Sequence, residues 1–126
     1  MKSTKYIFIV AGVYGIIVLL PMYFSETRFN SDFPHAITHP EYFYGFIGVA
    51  LAWQILFFLI AINPLRYKLM MIPAILEKFS YGIAVIILFV QHRTPIMILS
   101  SAIIDLIFGI LFVYAFFKTK EKQINT

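Results

Sequence analysis

Leu69-Met70-Met71-Ile72-Pro73-Ala74-Ile75-Leu76-Glu77-Lys78-Phe79-Ser80-Tyr81-Gly82-Ile83-Ala84-Val85-Ile86-Ile87-Leu88-Phe89-Val90 is an apolar run broken only by small polar residues and one adjacent pair of charges. At about 1.5 Å per residue, a helix of this length crosses a hydrocarbon core of about 30 Å. Three further runs have similar length and character: about 6–24, 42–62 and 96–117. In lipid each must be helical, because no water is there to bond the backbone. Asn63-Pro64 and Thr94-Pro95 break the chain between runs. The expected fold is all-α, a polytopic four-helix transmembrane bundle forming a single domain over residues 1–126.

Composition agrees. The chain is 61% hydrophobic and 13% charged, too apolar for a soluble domain this small, so lipid must solvate much of it. Cysteine is absent, which excludes disulfides, thiolate metal sites and thiol redox chemistry. The first run follows Lys2 and Lys5 as a signal peptide would. It is long, however, and Pro21-Met22-Tyr23-Phe24-Ser25 offers no small-x-small cleavage site, so it reads as a retained span.

The net charge of +4 is a topology signal, not a nucleic-acid footprint. With four spans, both termini and the middle loop share a side. That side carries Lys2, Lys5, Arg66, Lys68, Lys118, Lys120 and Lys122, while the other carries Arg28 and Arg93. The excess of basic residues predicts both termini in the cytoplasm of a cell inner (plasma) membrane. Tyr6, Tyr23, Tyr42, Tyr44 and Tyr67 sit at span ends, as interfacial anchors do.

Inside the spans, ionisable groups share a depth. A charge at the bilayer centre costs roughly 2.5–3.5 kcal/mol on insertion scales, so something in the bundle must offset Glu77, Lys78 and Asp105. Counting helical rise from the span ends places Tyr14, Gln54, Glu77, Lys78 and Asp105 in one layer, about 12–16 Å from the cytoplasmic side. Glu77 and Lys78 lie about 100° apart around their helix, so both cannot face the axis. Lys78 is expected to pair with Asp105, and Glu77 with Gln54, Tyr14 or Tyr81. The Glu77 face, with Pro73, Ala74, Ser80, Tyr81 and Ala84, is small and polar and is expected to pack against neighbours. Asp105 heads a stripe of Phe108, Phe112 and Phe116. Gly45, Gly48 and Ala52 lie opposite Gln54, which predicts protein on two sides of that helix. Ala11, Gly12 and Gly15 predict a close helix approach.

All histidines fall on the outer side. His35 and His39, four apart in the long outer loop 25–41, have the spacing of a metal pair on a helical turn, with Glu26, Asp32 and Glu41 nearby. A solvated or capping loop explains them better, because the spacing is the whole of the metal signal, and no metal site is assigned to them or to His92. The length of that loop suits a lid over the bundle.

The last span, Asp105-Leu106-Ile107-Phe108-Gly109-Ile110-Leu111-Phe112-Val113-Tyr114-Ala115-Phe116, followed by a basic tail, resembles the final helix of DoxX-like proteins. These are small four-helix membrane proteins, some associated with quinone-linked redox complexes. The resemblance implies an accessory membrane subunit. A fainter likeness is to EXPERA-type proteins, which bind sterol-like ligands among four helices. It rests on the long outer loop and the acidic intramembrane residues, and no isomerase residues carry over. The size is also similar to small multidrug transporters, but their essential first-helix acid is missing, with only Tyr14 as a polar group in that span.

The leading expectation is a membrane protein that binds a lipophilic ligand, a quinone or a lipid, in an apolar pocket with a few convergent polar groups. Trp53, Phe58, Tyr81, Phe108 and Phe112 would hold its body; Tyr14, Gln54, Glu77, Lys78 and Asp105 would surround its polar end. A proton-coupled transporter acting as a dimer and a structural subunit without ligand are the alternatives. Partners are the bilayer, the ligand, and a homo-oligomer or larger membrane complex. No nucleophile triad, phosphate loop or metal signature assigns a catalytic residue or a cofactor, so an enzyme acting on a lipid stays open.

Overall fold

The computed structural model describes residues 2–24 and 39–119. Among them are four long helices and no strand. Helix α1 is Lys2–Leu19, α2 Pro40–Ile62, α3 Met71–Val90 and α4 Ile96–Lys118. All are long and apolar enough to cross a membrane, at mean hydropathies of 1.8–2.6. Their outer surfaces carry large apolar side chains: Ile17, Ile62, Leu76 and Ile110 are each more than 60% exposed. Only lipid solvates such a surface at low cost.

The helix ends follow local chemistry. Pro21 lacks an N–H and its ring crowds the preceding turn, so α1 tightens into a 3-10 turn over Leu20–Phe24. Asn63 ends α2 and accepts the Arg66 N–H on its side chain at 3.2 Å and the Tyr67 N–H on its carbonyl at 3.1 Å. A 3-10 turn, Lys68–Met70, then leads into α3. The third helix closes with His92 at φ 58°. There the His92 N–H bonds the Phe89 carbonyl and the Arg93 N–H bonds the Leu88 carbonyl, at 3.0 and 2.8 Å. This is a Schellman closure in which histidine takes the place glycine usually fills. Pro95 caps α4.

Two hairpins make the bundle. Helix α1 packs along α2, and α3 along α4; α1 joins the hairpins by touching α4, while α2 and α3 barely meet. Glycines set the close approaches, as small residues do between helices in lipid. Gly12 lies under the Phe58 ring and Gly15 under the Gln54 side chain, while Gly82 faces Leu106 and Gly109 faces Phe79. The expected approach at Ala11, Gly12 and Gly15 is therefore present. The expectation of protein on both sides of α2 is corrected. Gly48 lies near Tyr23, but Ala52 is exposed and a Cβ on Gly45 would meet nothing within 4 Å.

The halves of the bundle differ. At the end where Lys2 and Thr119 lie, Phe8, Phe57 and Phe112 are fully buried among Ala11, Ile60, Met71, Ala74 and Ala115. Phe8 stacks on Phe112 at 4.3 Å between ring centres, and Phe57 meets Phe112 edge-on at 5.0 Å. Below them the Thr4 and Thr119 hydroxyls, 3.4 Å apart, tie the first helix to the end of the last. The opposite half is less tightly filled and holds the site.

The glycine contacts give the first prediction. Gly15→Ala puts a methyl into the Gln54 side chain and is expected to destabilise the bundle by about 1–3 kcal/mol. Gly45→Ala is expected to stay within about 0.5 kcal/mol of the parent. Unfolding free energies measured in bicelles test the contrast, and equal effects would rule it out.

Candidate functional site

Lys78 is the centre of the polar layer. It is 2% exposed, and its ammonium lies 3.3 Å from Asp105 Oδ1 and 4.0 Å from Glu77 Oε2. The rings of Phe57 and Phe108 lie 5.1 and 5.6 Å from it. Two carboxylates and two aromatic faces therefore replace its hydration. The expected pairing of Lys78 with Asp105 across α3 and α4 is present.

Glu77 sits differently from expectation. The buried stripe of α3 is Met71, Ala74, Lys78, Gly82 and Val85, whereas Pro73, Ser80 and Ala84 on the Glu77 face are exposed. The cause is steric and electrostatic together. Ala74 and Gly82 let α3 lie close to its neighbours, and turning that stripe inward brings Lys78 onto Asp105. Glu77 then falls at the edge of the α2–α3 gap, its side chain 18% exposed. Its Oε2 makes no hydrogen bond, so the partners Gln54, Tyr14 and Tyr81 are not taken up.

The other polar groups are tied to their own surroundings. Gln54, 2% exposed, donates from Nε2 to the Ala50 carbonyl at 2.8 Å. A carbonyl can only accept, so the amide nitrogen must face it, and the amide oxygen is turned toward Gly15 with no hydrogen bond. The Tyr81 and Ser101 hydroxyls are 2.9 Å apart, and Ser101 donates to the Ile98 carbonyl at 2.7 Å. Ser101 has one proton, so Tyr81 donates to Ser101.

These groups line a cavity of ≈ 250 Å³. Tyr14, Gln54, Glu77, Lys78, Tyr81 and Asp105 all reach it, and its apolar wall includes Val18, Leu19, Met22, Met97 and Ile98. These wall residues come from the end of α1, the 3-10 turn after it and the start of α4, so the cavity occupies the half of the bundle away from Lys2 and Thr119. The aromatic cluster closes the other half. A second hollow, a groove of ≈ 700 Å³, runs between α2 and α3. Phe46, Ala50, Glu77 and Tyr81 border both.

The aromatic residues expected around a ligand divide among these places. Trp53 and Tyr81 line the groove. Phe108 flanks Lys78 and lies 5.6 Å from the Tyr14 ring. Phe112 is in the fully buried cluster and Phe58 covers Gly12, and none of Phe58, Phe108 and Phe112 borders the cavity or the groove. Ser101 and Phe46 were not among the expected site residues. Ser101 carried a signal, lying one turn before Asp105 on the same face. Phe46 carried none, because its role depends on the distance between helices.

On the outer side, His39 Nδ1 lies 3.1 Å from Glu41 Oε1 in an exposed pair. His35, Glu26, Asp32 and the proposed lid lie outside the described residues. No group of three metal-binding side chains occurs among the described residues. Comparison with protein-family models, curated proteins and solved structures finds no match to this chain. Function is therefore read from the geometry.

The ion pair gives the second prediction. Lys78→Met strands Asp105 and Glu77 and is expected to cost about 3–5 kcal/mol of stability. Adding Asp105→Leu to it is expected to recover most of that loss, because the cost is that of an unpaired buried charge. A double-mutant cycle of unfolding free energies tests this, and simple additivity would exclude the coupling.

Proposed function

We propose that this protein binds a lipophilic ligand, a quinone or a lipid, with its polar end at the intramembrane layer of Gln54, Glu77, Lys78 and Asp105. The single observation supporting this reading is that a part-open cavity with this polar lining shares wall residues with a groove on the outer surface between α2 and α3. Ligand sites are concave and mostly apolar, with a few convergent polar groups, and a structural subunit has no need of the hollow. The DoxX-like resemblance extends the reading to an accessory subunit of a redox complex, either as a homo-oligomer or with other membrane chains.

The proton-coupled transporter finds less support. It needs a path to both faces, and Phe8, Phe57 and Phe112 fill one half of the bundle. Both described ends lie at that half, joined through Thr4 and Thr119. From the basic residues we place it on the cytoplasmic side of the plasma membrane, so the cavity would open toward the outer leaflet.

Two outcomes test these proposals. Organic extracts of the purified protein are expected to contain a lipophile at close to one per chain. The yield is expected to fall at least tenfold in Gln54→Leu/Glu77→Gln protein of unchanged helicity; equal yields by mass spectrometry would remove the site. A C-terminal fluorescent-protein fusion is expected to fluoresce and a C-terminal alkaline-phosphatase fusion to be inactive, with the reverse pattern inverting the topology.

A further inference from the structure

The hydrogen-bonding inventory of the cavity is one-sided. Gln54 has committed one of its two N–H groups to Ala50, and its oxygen is without a hydrogen-bond partner. Glu77 Oε2 is likewise without one. Tyr81 directs its proton to Ser101, which leaves its oxygen as an acceptor on a residue of the cavity wall. The ammonium of Lys78 is engaged by Asp105 and Glu77 and flanked by two rings. The Tyr14 hydroxyl, able to donate or accept, is the remaining polar group on the wall. Acceptors therefore outnumber donors. The charges have the same sign bias, since Glu77 and Asp105 face one ammonium.

A buried acceptor left unmatched forfeits its bond to water with nothing in return. A head group that only accepts, such as a ketone or ester, would leave both oxygens unmatched, and a carboxylate would add repulsion. An ammonium has donors for both, and a hydroxyl has one for either. Both oxygens are covered, so contact requires each side chain to turn into the hollow that it borders.

The route is also built in. Phe46 of α2 stacks on Tyr81 of α3 at 6.0 Å, and these rings, with Glu77 and Ala50, separate groove from cavity. The groove floor is made by Gly45, Val49, Trp53, Pro73 and Leu76. It is apolar except near Glu41, Glu77, Ser80 and Tyr81. A chain lying there would leave its head beside Glu77.

We propose that the site takes an amphiphile from the bilayer through the gap between α2 and α3, seating its apolar chain in the groove and a hydrogen-bond-donating head, an amine or a hydroxyl, in the cavity at Glu77 and Gln54. This rests on the ligand-binding reading above and narrows it: of a quinone pair, the hydroquinone is the form held. Trp53, the single tryptophan, lies in the groove and reports occupancy.

The test uses the full chain in phosphatidylcholine nanodiscs at neutral pH. Dodecylamine, dodecanol and dodecanoic acid, each dibrominated at mid-chain, are titrated while Trp53 fluorescence is followed. The amine and alcohol are expected to quench saturably at concentrations at least tenfold below the acid, which gives only linear quenching by partition. Glu77→Gln is expected to bring the amine down to the level of the alcohol. Gly45→Phe places a ring in the groove where nothing lies within 4 Å, and is expected to abolish saturable quenching. Benzylamine, a head without a chain, should still raise the unfolding temperature of both the parent and Gly45→Phe. Equal quenching by acid and amine would overturn the donor head. Unchanged saturation in Gly45→Phe would overturn the lateral route. No saturation by any chain, together with no benzylamine shift in the parent, would remove the ligand-binding reading itself.

Discussion

A lysine ammonium in the hydrocarbon interior must find its counter-charge within the protein, and this constraint organises the bundle. Lys78 meets it with Asp105 from the adjacent helix, Glu77 from its own, and the rings of Phe57 and Phe108. The pair fixes the rotation of α3 about its axis, because any other rotation would turn the ammonium toward lipid. Once that rotation is set, Gly82 meets Leu106 and Gly109 meets Phe79. The helix hairpin then closes on small residues instead of on a hydrophobic driving force, which lipid does not supply.

The same rotation creates the site. With Lys78 inward, its neighbour Glu77 is carried to the open seam between α2 and α3, where it borders both hollows. Two adjacent charges thus do different things: one is neutralised and holds register, the other stays at a boundary with an oxygen unbonded. The bundle is also graded along its axis. Stacked phenylalanines fill the half at the chain ends, and a partly polar cavity occupies the other half.

Much of the fold was legible in the sequence because hydrocarbon thickness and backbone hydrogen bonding are one-dimensional constraints. Run lengths located the four helices, and Asn63-Pro64 and Pro95 marked their breaks. Helical rise placed Tyr14, Gln54, Glu77, Lys78 and Asp105 in one layer, and all of them border the cavity. The Lys78–Asp105 pairing followed from charge and from the 100° separation of Glu77 from Lys78. The inward face of α3 was misread because its small residues, Ser80 and Ala84, resemble a packing surface, whereas the structure leaves them exposed.

What the sequence by itself determined is the number of spans, their breaks, the depth of the ionisable layer and one ion pair. What only the tertiary structure decided is which side chains share a hollow: Ser101 with Tyr81, Gln54 with Gly15, Glu77 at the seam, Phe112 in the sealed cluster. The physical reason is that helices apolar all round give little sign of which face meets protein and which meets lipid. Interhelical distance, and therefore any cavity, depends on how side-chain volumes from separate helices fit together. Gly45 and Gly15 are the same residue on similar helices, yet one faces empty space and the other lies under a buried amide.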